Sequence, residues 1–368
     1  MSTRRRRARA SLWTHKKSHT KLQRAPDEAE WAALEHTQVG AFVFEDENGS
    51  EVEFRLNDVG VIFPEAGERR HAYKLEDSWL AKIKGIRVRS EDEVWVAVNW
   101  YYSPLDIKEK MPGLLAHCAK RERIYSHHSE LIPASIFEVP VPMMLFLEDD
   151  PEQQFFPGDR FFCRYFFDAN PDRQDYRVLP YTCSGGEGEA PSSTPKRAYD
   201  LNACICGAPY SPDDTEPARV MHWCPRPQCR RAHHYGCLLA REQQVLMTAQ
   251  DAAFARLESS PDANKRISVD PRVVLDRVPA GILRLAGQPI VRGGAFGITG
   301  NVACVVHARR AVYDILRGDA DFDALTAYDD EAGWADAIVE PYLYFGDADG
   351  DAGRTVSVLF CPGCGGAV

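Results

Sequence analysis

The sequence predicts a multidomain α+β protein: a β-rich domain first, then two closed zinc sites whose ligands are split by a mostly helical insert. Three observations carry this. Short apolar runs recur between turn signals from residue 41 to residue 168. Eight potential ligands follow in the order four Cys, one His, three Cys: Cys204, Cys206, Cys224, Cys229, His234, Cys237, Cys361 and Cys364. Between Cys237 and Cys361 lie 123 residues in which the apolar period shifts to that of helices.

The first element is a basic head. Residues 1–26 carry nine Lys or Arg and no acid, so the remainder has 35 basic against 54 acidic residues, a net of −19 within a chain total of −10. Residues 1–36 are therefore expected to be a disordered tail, serving as a nuclear import signal, a non-specific DNA-phosphate arm, or neither. The acidic body disfavours DNA wrapping and suits a basic peptide partner.

The hairpin comes next. Ala41-Phe-Val-Phe44 and Glu51–Leu56 flank the turn signal Asp46-Glu-Asn-Gly49. Val59–Phe63, Trp79–Val88, Val94–Tyr102, Ile136–Val141 and Arg160–Asp168 read as further strands, which together suggest a small barrel or sandwich over 37–183. Residues 184–200 are a Gly/Ser/Pro linker. The first ligand pairs lie in 201–237, the insert is 238–354, and 355–368 supplies the last pair. Within the insert, Leu238–Leu257 and His307–Leu316 look helical, Val273–Leu285 more weakly, and Gly346–Gly353 reads as a loop. Thr355–Phe360 alternates like a strand and delivers Cys361.

At 368 residues, with 44% apolar and 27% charged, the chain has room for two or three domains. No apolar run reaches the ~20 residues of a membrane helix. The N-terminus lacks the apolar core of a secretory signal, so an intracellular, reducing setting is expected. Clustered cysteines there read as metal ligands, while Cys118, Cys163, Cys183 and Cys304 read as small buried apolar residues.

Zinc prefers four tetrahedral thiolate or imidazole ligands, so eight in close pairs imply two structural ions. Closing ~120 residues rather than ~20 costs only about 1.6 kcal/mol by the logarithmic loop law. Structural zinc contributes on the order of 10–16 kcal/mol, so the long excursion is no obstacle. Cys304 and His307, three apart, offer an alternative partner pair for Cys361 and Cys364, at the expense of stranding Cys224 and Cys229.

The ligand order resembles that of a plant homeodomain (PHD) finger, a cross-brace in which the first and third pairs share a metal. The resemblance implies one zinc on Cys204, Cys206, His234 and Cys237, and another on Cys224, Cys229, Cys361 and Cys364. Variant RING domains share this order. Fingers of this family that read methylated lysine 4 place a Trp two residues before the ligand His; here that position is Ala232, preceded by Arg230 and Arg231, which would repel a methylammonium.

Upstream, residues 52–182 resemble the bromo-adjacent homology (BAH) fold. The motifs are Val98-Asn-Trp-Tyr-Tyr-Ser-Pro104, Ile124-Tyr-Ser-His-His128 and Phe161-Phe-Cys-Arg-Tyr-Phe166, in the family's order. Together the two modules look like plant and fungal BAH–PHD readers of trimethylated lysine 27 of histone H3. That resemblance implies a barrel-like first domain, a nuclear setting, and a place in a repressive chromatin complex. Trimethyl-lysine keeps its charge but loses its donors, so aromatic faces recognise it, at about 0.5–2 kcal/mol per contact. Trp100 and Tyr102 share a strand face about 7 Å apart, and Trp79 matches the family's third cage position. Tyr101 would face the other way. Trp100 also shares its face with Val94, Val96 and Val98, which fits burial in a core. His127 and His128 fall where the family contacts the peptide, with His127 replacing an Asp.

The expected function is thus a non-catalytic reader of a trimethylated H3 tail, with two zinc ions and no membrane partner. A RING-like ubiquitin-ligase scaffold and a BAH docking module without a cage are the alternatives. Gly293-Gly-Ala-Phe-Gly297 lacks the spacing of a nucleotide loop, and no nucleophile–base pair stands out, so an enzyme is not expected.

Overall fold

In a computed structural model, the described residues are 12–16, 24–45, 50–62, 75–90, 93–170, 175–180, 204–262, 278–318, 337–339 and 354–368. The linker 184–200, the loop Gly346–Gly353 and Cys183 lie outside them. The chain divides into two compact units, 1–115 with 120–145 and 160–181, and 116–119 with 146–159 and 182–368. The segments 116–119 and 146–159, assigned from sequence to a contiguous first domain, thus belong to the second unit.

The first unit opens with β1 (Leu12–Lys16) and α1 (Glu28–Ala33), two ordered elements where the sequence suggested a disordered tail. The helix has a physical cause that composition conceals. The Asp27 carboxylate accepts from Glu30 N–H at 2.9 Å, and the Glu30 carboxylate accepts from Asp27 N–H at 2.9 Å, a reciprocal capping box. The predicted hairpin is β2 (Ala41–Glu45) and β3 (Glu51–Arg55), paired antiparallel with Ala41 opposite Arg55, and β1 adds to β2 in parallel.

The main sheet contains β4 (Val59–Ile62), β5 (Trp79–Ser90), β6 (Glu93–Tyr102), β7 (Glu122–Pro133), β8 (Phe137–Val141), β9 (Met143–Leu145), β10 (Phe161–Asn170) and β11 (Asp175–Pro180). Its order is β11-β10-β7-β6-β5-β4-β8, with β9 also on β10. Only Pro142 separates β8 from β9, yet β8 pairs with β4 and β9 with β10, opposite ends of the strand path. The sheet therefore returns on itself as a barrel, and the prolines at 140 and 142 sit where it turns.

Strand alternation sorts the apolar residues as expected. Val94, Val96, Val98 and Trp100 pack with Phe42, Phe54 and Phe137, while Tyr101 joins Leu80, Tyr125, Phe161 and Cys163 in a separate cluster. Phe42, Phe54 and Phe137 meet with centroids 5.1–5.5 Å apart. Between β7 and β10 the Arg164 guanidinium holds the Glu122 carboxylate in a fork, Nε–Oε1 2.7 Å and Nη2–Oε2 3.2 Å, with both side chains buried.

The second unit contains β12 (Met221–Trp223), β13 (Ala232–His234), α2 (Tyr235–Ala240), β14 (Gln244–Thr248), α3 (Ala249–Leu257), α4 (Ala280–Ala286), β15 (Val291–Arg292), α5 (Val302–Arg317) and β16 (Thr355–Leu359). The single helix expected over Leu238–Leu257 is instead helix, strand, helix. Residues 244–248 give up helical geometry because β16 offers them a ladder, Gln244 opposite Leu359 through Thr248 opposite Thr355. Thr248 then caps α3, its hydroxyl accepting from Asp251 N–H at 3.1 Å. The helix expected around His307–Leu316 is α5, and of Val273–Leu285 the described part is α4.

Packing in this unit leans on buried arginines. Arg309 donates to three main-chain carbonyls, Ala286 at 2.9 Å, Ser259 at 3.2 Å and Gln288 at 2.8 Å, and so satisfies acceptors at the end of α4. Arg292 lies over Tyr210 and Phe146 at 4.8 and 5.6 Å, and donates to Glu148 O at 2.9 Å.

Removing one member of a buried, forked ion pair leaves the other charge without its partner. Glu122→Ala is expected to lower stability by about 3–5 kcal/mol, read as a shift of the urea midpoint of tryptophan fluorescence.

Candidate metal centres and aromatic pocket

The eight predicted ligands assemble into two groups of four. Cys204, Cys206, His234 and Cys237 form one, and Cys224, Cys229, Cys361 and Cys364 the other; within each, the ligand atoms lie within 4.8 Å of one another. This is the cross-brace partition, and among the described residues Cys304 and His307 belong to neither group. Local backbone brings each pair together. Gly207, at φ +80°, turns the chain after Cys206, with its N–H on Cys204 O at 2.7 Å. His234 ends β13, and Cys237 stands in the first turn of α2. The strand β16 delivers Cys361, and Gly365 at φ +69° closes the following turn onto Cys361 O at 2.8 Å.

The donor set fits zinc. Thiolates bound at about 2.3 Å stand about 3.8 Å apart at tetrahedral angles. Here Cys224–Cys364 and Cys229–Cys361 are both 3.5 Å apart, and His234 Nδ1 is 3.4 Å from Cys206 Sγ and 3.9 Å from Cys237 Sγ. Backbone N–H groups point at the sulfurs: Cys206 and His234 at Cys204, Ala208 at Cys206, Arg226 at Cys224, Arg231 at Cys229 and Gly363 at Cys361. Such donors favour thiolate over thiol. Burial, with the nearby Arg219 charge next, pushes His234 down to about 4, so its ring is neutral and has a nitrogen lone pair to offer. With four protein ligands each, both groups would be closed sites of the structural kind if they hold zinc.

Ala232, where a lysine-4 reader would carry a Trp, is buried opposite Trp223 in the β12–β13 pair. Trp223 is itself buried under the Arg230 guanidinium at 5.5 Å. No open aromatic face is offered at this place.

An aromatic pocket of about 230 Å³ lies in the first unit instead. Trp79 and Trp100 form two walls, their rings 5.8 Å apart and nearly perpendicular at 85°. Tyr102, Tyr101, Asp106, His128 and Glu130 complete the lining. Trp79 stands at the start of β5 and is 49% exposed, whereas Trp100 is 9% exposed and belongs to the core as well. Trp100 thus packs in the core cluster and also lines the cavity. The register of β6 against β7 shifts between Asn99 and Tyr101, where Ser126–His128 of β7 lie opposite the single Trp100, which keeps the face of Val94, Val96 and Val98.

Hydrogen bonds fix these rings. Trp100 Nε1 donates to Glu130 Oε2 at 3.0 Å. The Tyr102 hydroxyl hydrogen-bonds His128 Nδ1, the two rings lying parallel. Ser103 N–H donates to Asp106 Oδ2 at 2.7 Å, folding the turn that carries this carboxylate to the rim. Burial, then Asp106 and Glu130, push the Tyr102 hydroxyl pKa up, so it stays protonated. The lining carries two carboxylates and no Lys or Arg.

Trp79, Trp100, Tyr102 and His128 are thus brought together as the sequence suggested. His127 is not: it packs on Phe166 at 4.6 Å and on Tyr125, since neighbours on a strand point to opposite faces. The same alternation puts Glu130 beside His128, a signal the motif reading passed over. Asp106 carried a weaker one, as an acid three residues after Ser103 in a Ser-Pro turn.

Neither a family model nor a curated protein matches this chain. Among solved structures, the crystal structure of the yeast Rsc2 BAH domain matches at 13% identity and a TM-score of 0.22, covering 32% of this chain and 46% of that one. The likeness to a BAH domain is a distant one, and the assignments above rest on the chain's own geometry. No described helix is long and apolar enough to cross a membrane.

Cys361→Ser is expected to drop the zinc content from two ions to one per chain by elemental analysis. Stripping wild type with a strong chelator at neutral pH should remove both ions and the cooperative unfolding of the second unit.

Proposed function

We propose that the protein is a non-catalytic reader of methylated lysine, taking the side chain into the pocket between Trp79, Trp100 and Tyr102. The observation that carries this is the perpendicular pair of indole faces beside a tyrosine, around a cavity whose charged lining residues are both carboxylates. A methylammonium is a cation too poorly supplied with donors to be held by hydrogen bonds alone. It gains from aromatic faces by cation–π attraction and from the field of Asp106 and Glu130. The prediction of a basic peptide partner from the acidic body agrees in sign with this pocket.

The histone H3 tail trimethylated at lysine 27 is the ligand we propose, on the strength of the motifs around Trp100, His128 and Phe161–Phe166. A role in nuclear gene repression follows from that choice. The two zinc centres then serve as framework, and the buried Ala232–Trp223 pair supports assigning recognition to the first unit.

Trp79 is the cleanest probe because it is half-exposed, whereas Trp100 also holds the core. With the full-length protein, calorimetric titration is expected to give tighter binding of a lysine-27-trimethylated H3 peptide than of the unmodified peptide. Trp79→Ala should weaken the methylated peptide about 2- to 30-fold, the value of one cation–π contact. Equal affinity for the two peptides in wild type would refute the reading.

A further inference from the structure

The second metal group has a neighbour outside its four ligands. His233 Nε2 lies 3.6 Å from Cys361 Sγ, and both residues are buried. His233 immediately precedes the ligand His234 on β13, and adjacent strand residues point to opposite faces. One imidazole therefore reaches the first metal group while the other reaches the second. His233 is outside the set of atoms that lie within 4.8 Å of one another, so it meets one corner of the tetrahedron and is not a ligand.

We propose that His233 is a positioning residue of the second metal centre, donating its Nε2–H to the Cys361 thiolate. A thiolate bound to zinc can only accept, so the nitrogen facing it must carry the proton. The other ring nitrogen, Nδ1, is buried with no partner among the described residues, which leaves the contact to Cys361 as the one that orients the ring. Electrostatics supply the reason for such a donor. Four thiolates on one divalent zinc leave about two negative charges, and Cys224 and Cys361 are both fully buried. The backbone N–H groups of Arg226, Arg231 and Gly363 serve Cys224, Cys229 and Cys361. His233 adds a side-chain donor to Cys361, the ligand that arrives from across the long insert. The first group, with three thiolates and an imidazole, carries less charge. The proposal rests on zinc occupancy of the second group and is independent of the methyl-lysine reading.

The test uses the zinc-loaded full chain, with a zinc content of two per chain established first. In histidine-selective ¹⁵N spectra of wild type, His233 should be the neutral tautomer protonated at Nε2. His233→Leu, which removes the donor, should release one of its two zinc ions to a chromophoric chelator about 10–100-fold faster, while the other leaves at the wild-type rate. His233→Gln, which keeps an N–H near the same place, should release both close to the wild-type rate. A ring protonated at Nδ1 instead of Nε2, or wild-type release of both ions from His233→Leu, would overturn the proposal. Should His233→Leu fail to fold, the tautomer in wild type decides. A zinc content below two would overturn it together with the metal assignment.

Discussion

The ladder between Gln244–Thr248 and Thr355–Leu359 is the constraint on which the second unit depends. Zinc fixes four ligands at one point but cannot gather them from a chain whose last pair lies 123 residues beyond the third. The backbone hydrogen bonds between these two strands do that gathering. One strand begins just after α2, which carries Cys237, and the other ends just before Cys361. The insert is thereby held at both ends by the same two-stranded ribbon, and Phe360 N–H on Gln243 O at 2.8 Å extends it toward the metal. With its ends pinned, the insert's length scarcely matters to the stability of the centre, since loop entropy grows only with the logarithm of length.

That ribbon is also where sequence reading failed. The run from Leu238 to Leu257 has apolar residues at helical spacing, and nothing local says that residues 244–248 have a partner more than a hundred residues away. Tertiary pairing overrode propensity there. The strand Glu122–Pro133 was passed over for a related reason: from His127 to Glu130 it is exposed, so it lacks the unbroken apolar signal of the strands beside it. Where chemistry demands a residue type at a spacing, the sequence was legible. The eight ligands, the hairpin and the shared face of Trp100 and Tyr102 were visible in local spacing and strand alternation, whereas the partition of the ligands and the place of Trp79 were legible only through resemblance to known families. The helix at Glu28–Ala33 shows how a basic composition can mask a local signal, here an Asp-x-x-Glu capping box.

The aromatic pocket shows how one strand serves two masters. Along β6 the alternate residues Val94, Val96 and Val98 supply a core face, and Trp100 ends that row half inside the barrel's packing and half at the cavity. Glu130, by accepting from the Trp100 indole, locks the ring that a ligand would meet, so that little rotamer freedom remains to be lost on binding. His128 does the same for Tyr102. Rigidity in the walls thus comes from polar partners on β7, the strand that lacked an apolar signature.

The split of the ligand set also fixes the order in which the two groups can be completed on the ribosome. All four ligands of the first centre have emerged once Cys237 is out, so that centre can fill while the insert is still being made. Cys224 and Cys229 must wait as a bare dithiol until Cys361 and Cys364 arrive, at ordinary elongation speeds of about 5–20 residues per second a delay of roughly ten seconds. During that interval the nascent chain carries one finished knot and one open pair of thiols, vulnerable to oxidation or to the wrong metal. If the two groups hold zinc, a ligand set divided this way stays open to misloading for longer than one whose eight ligands emerge together.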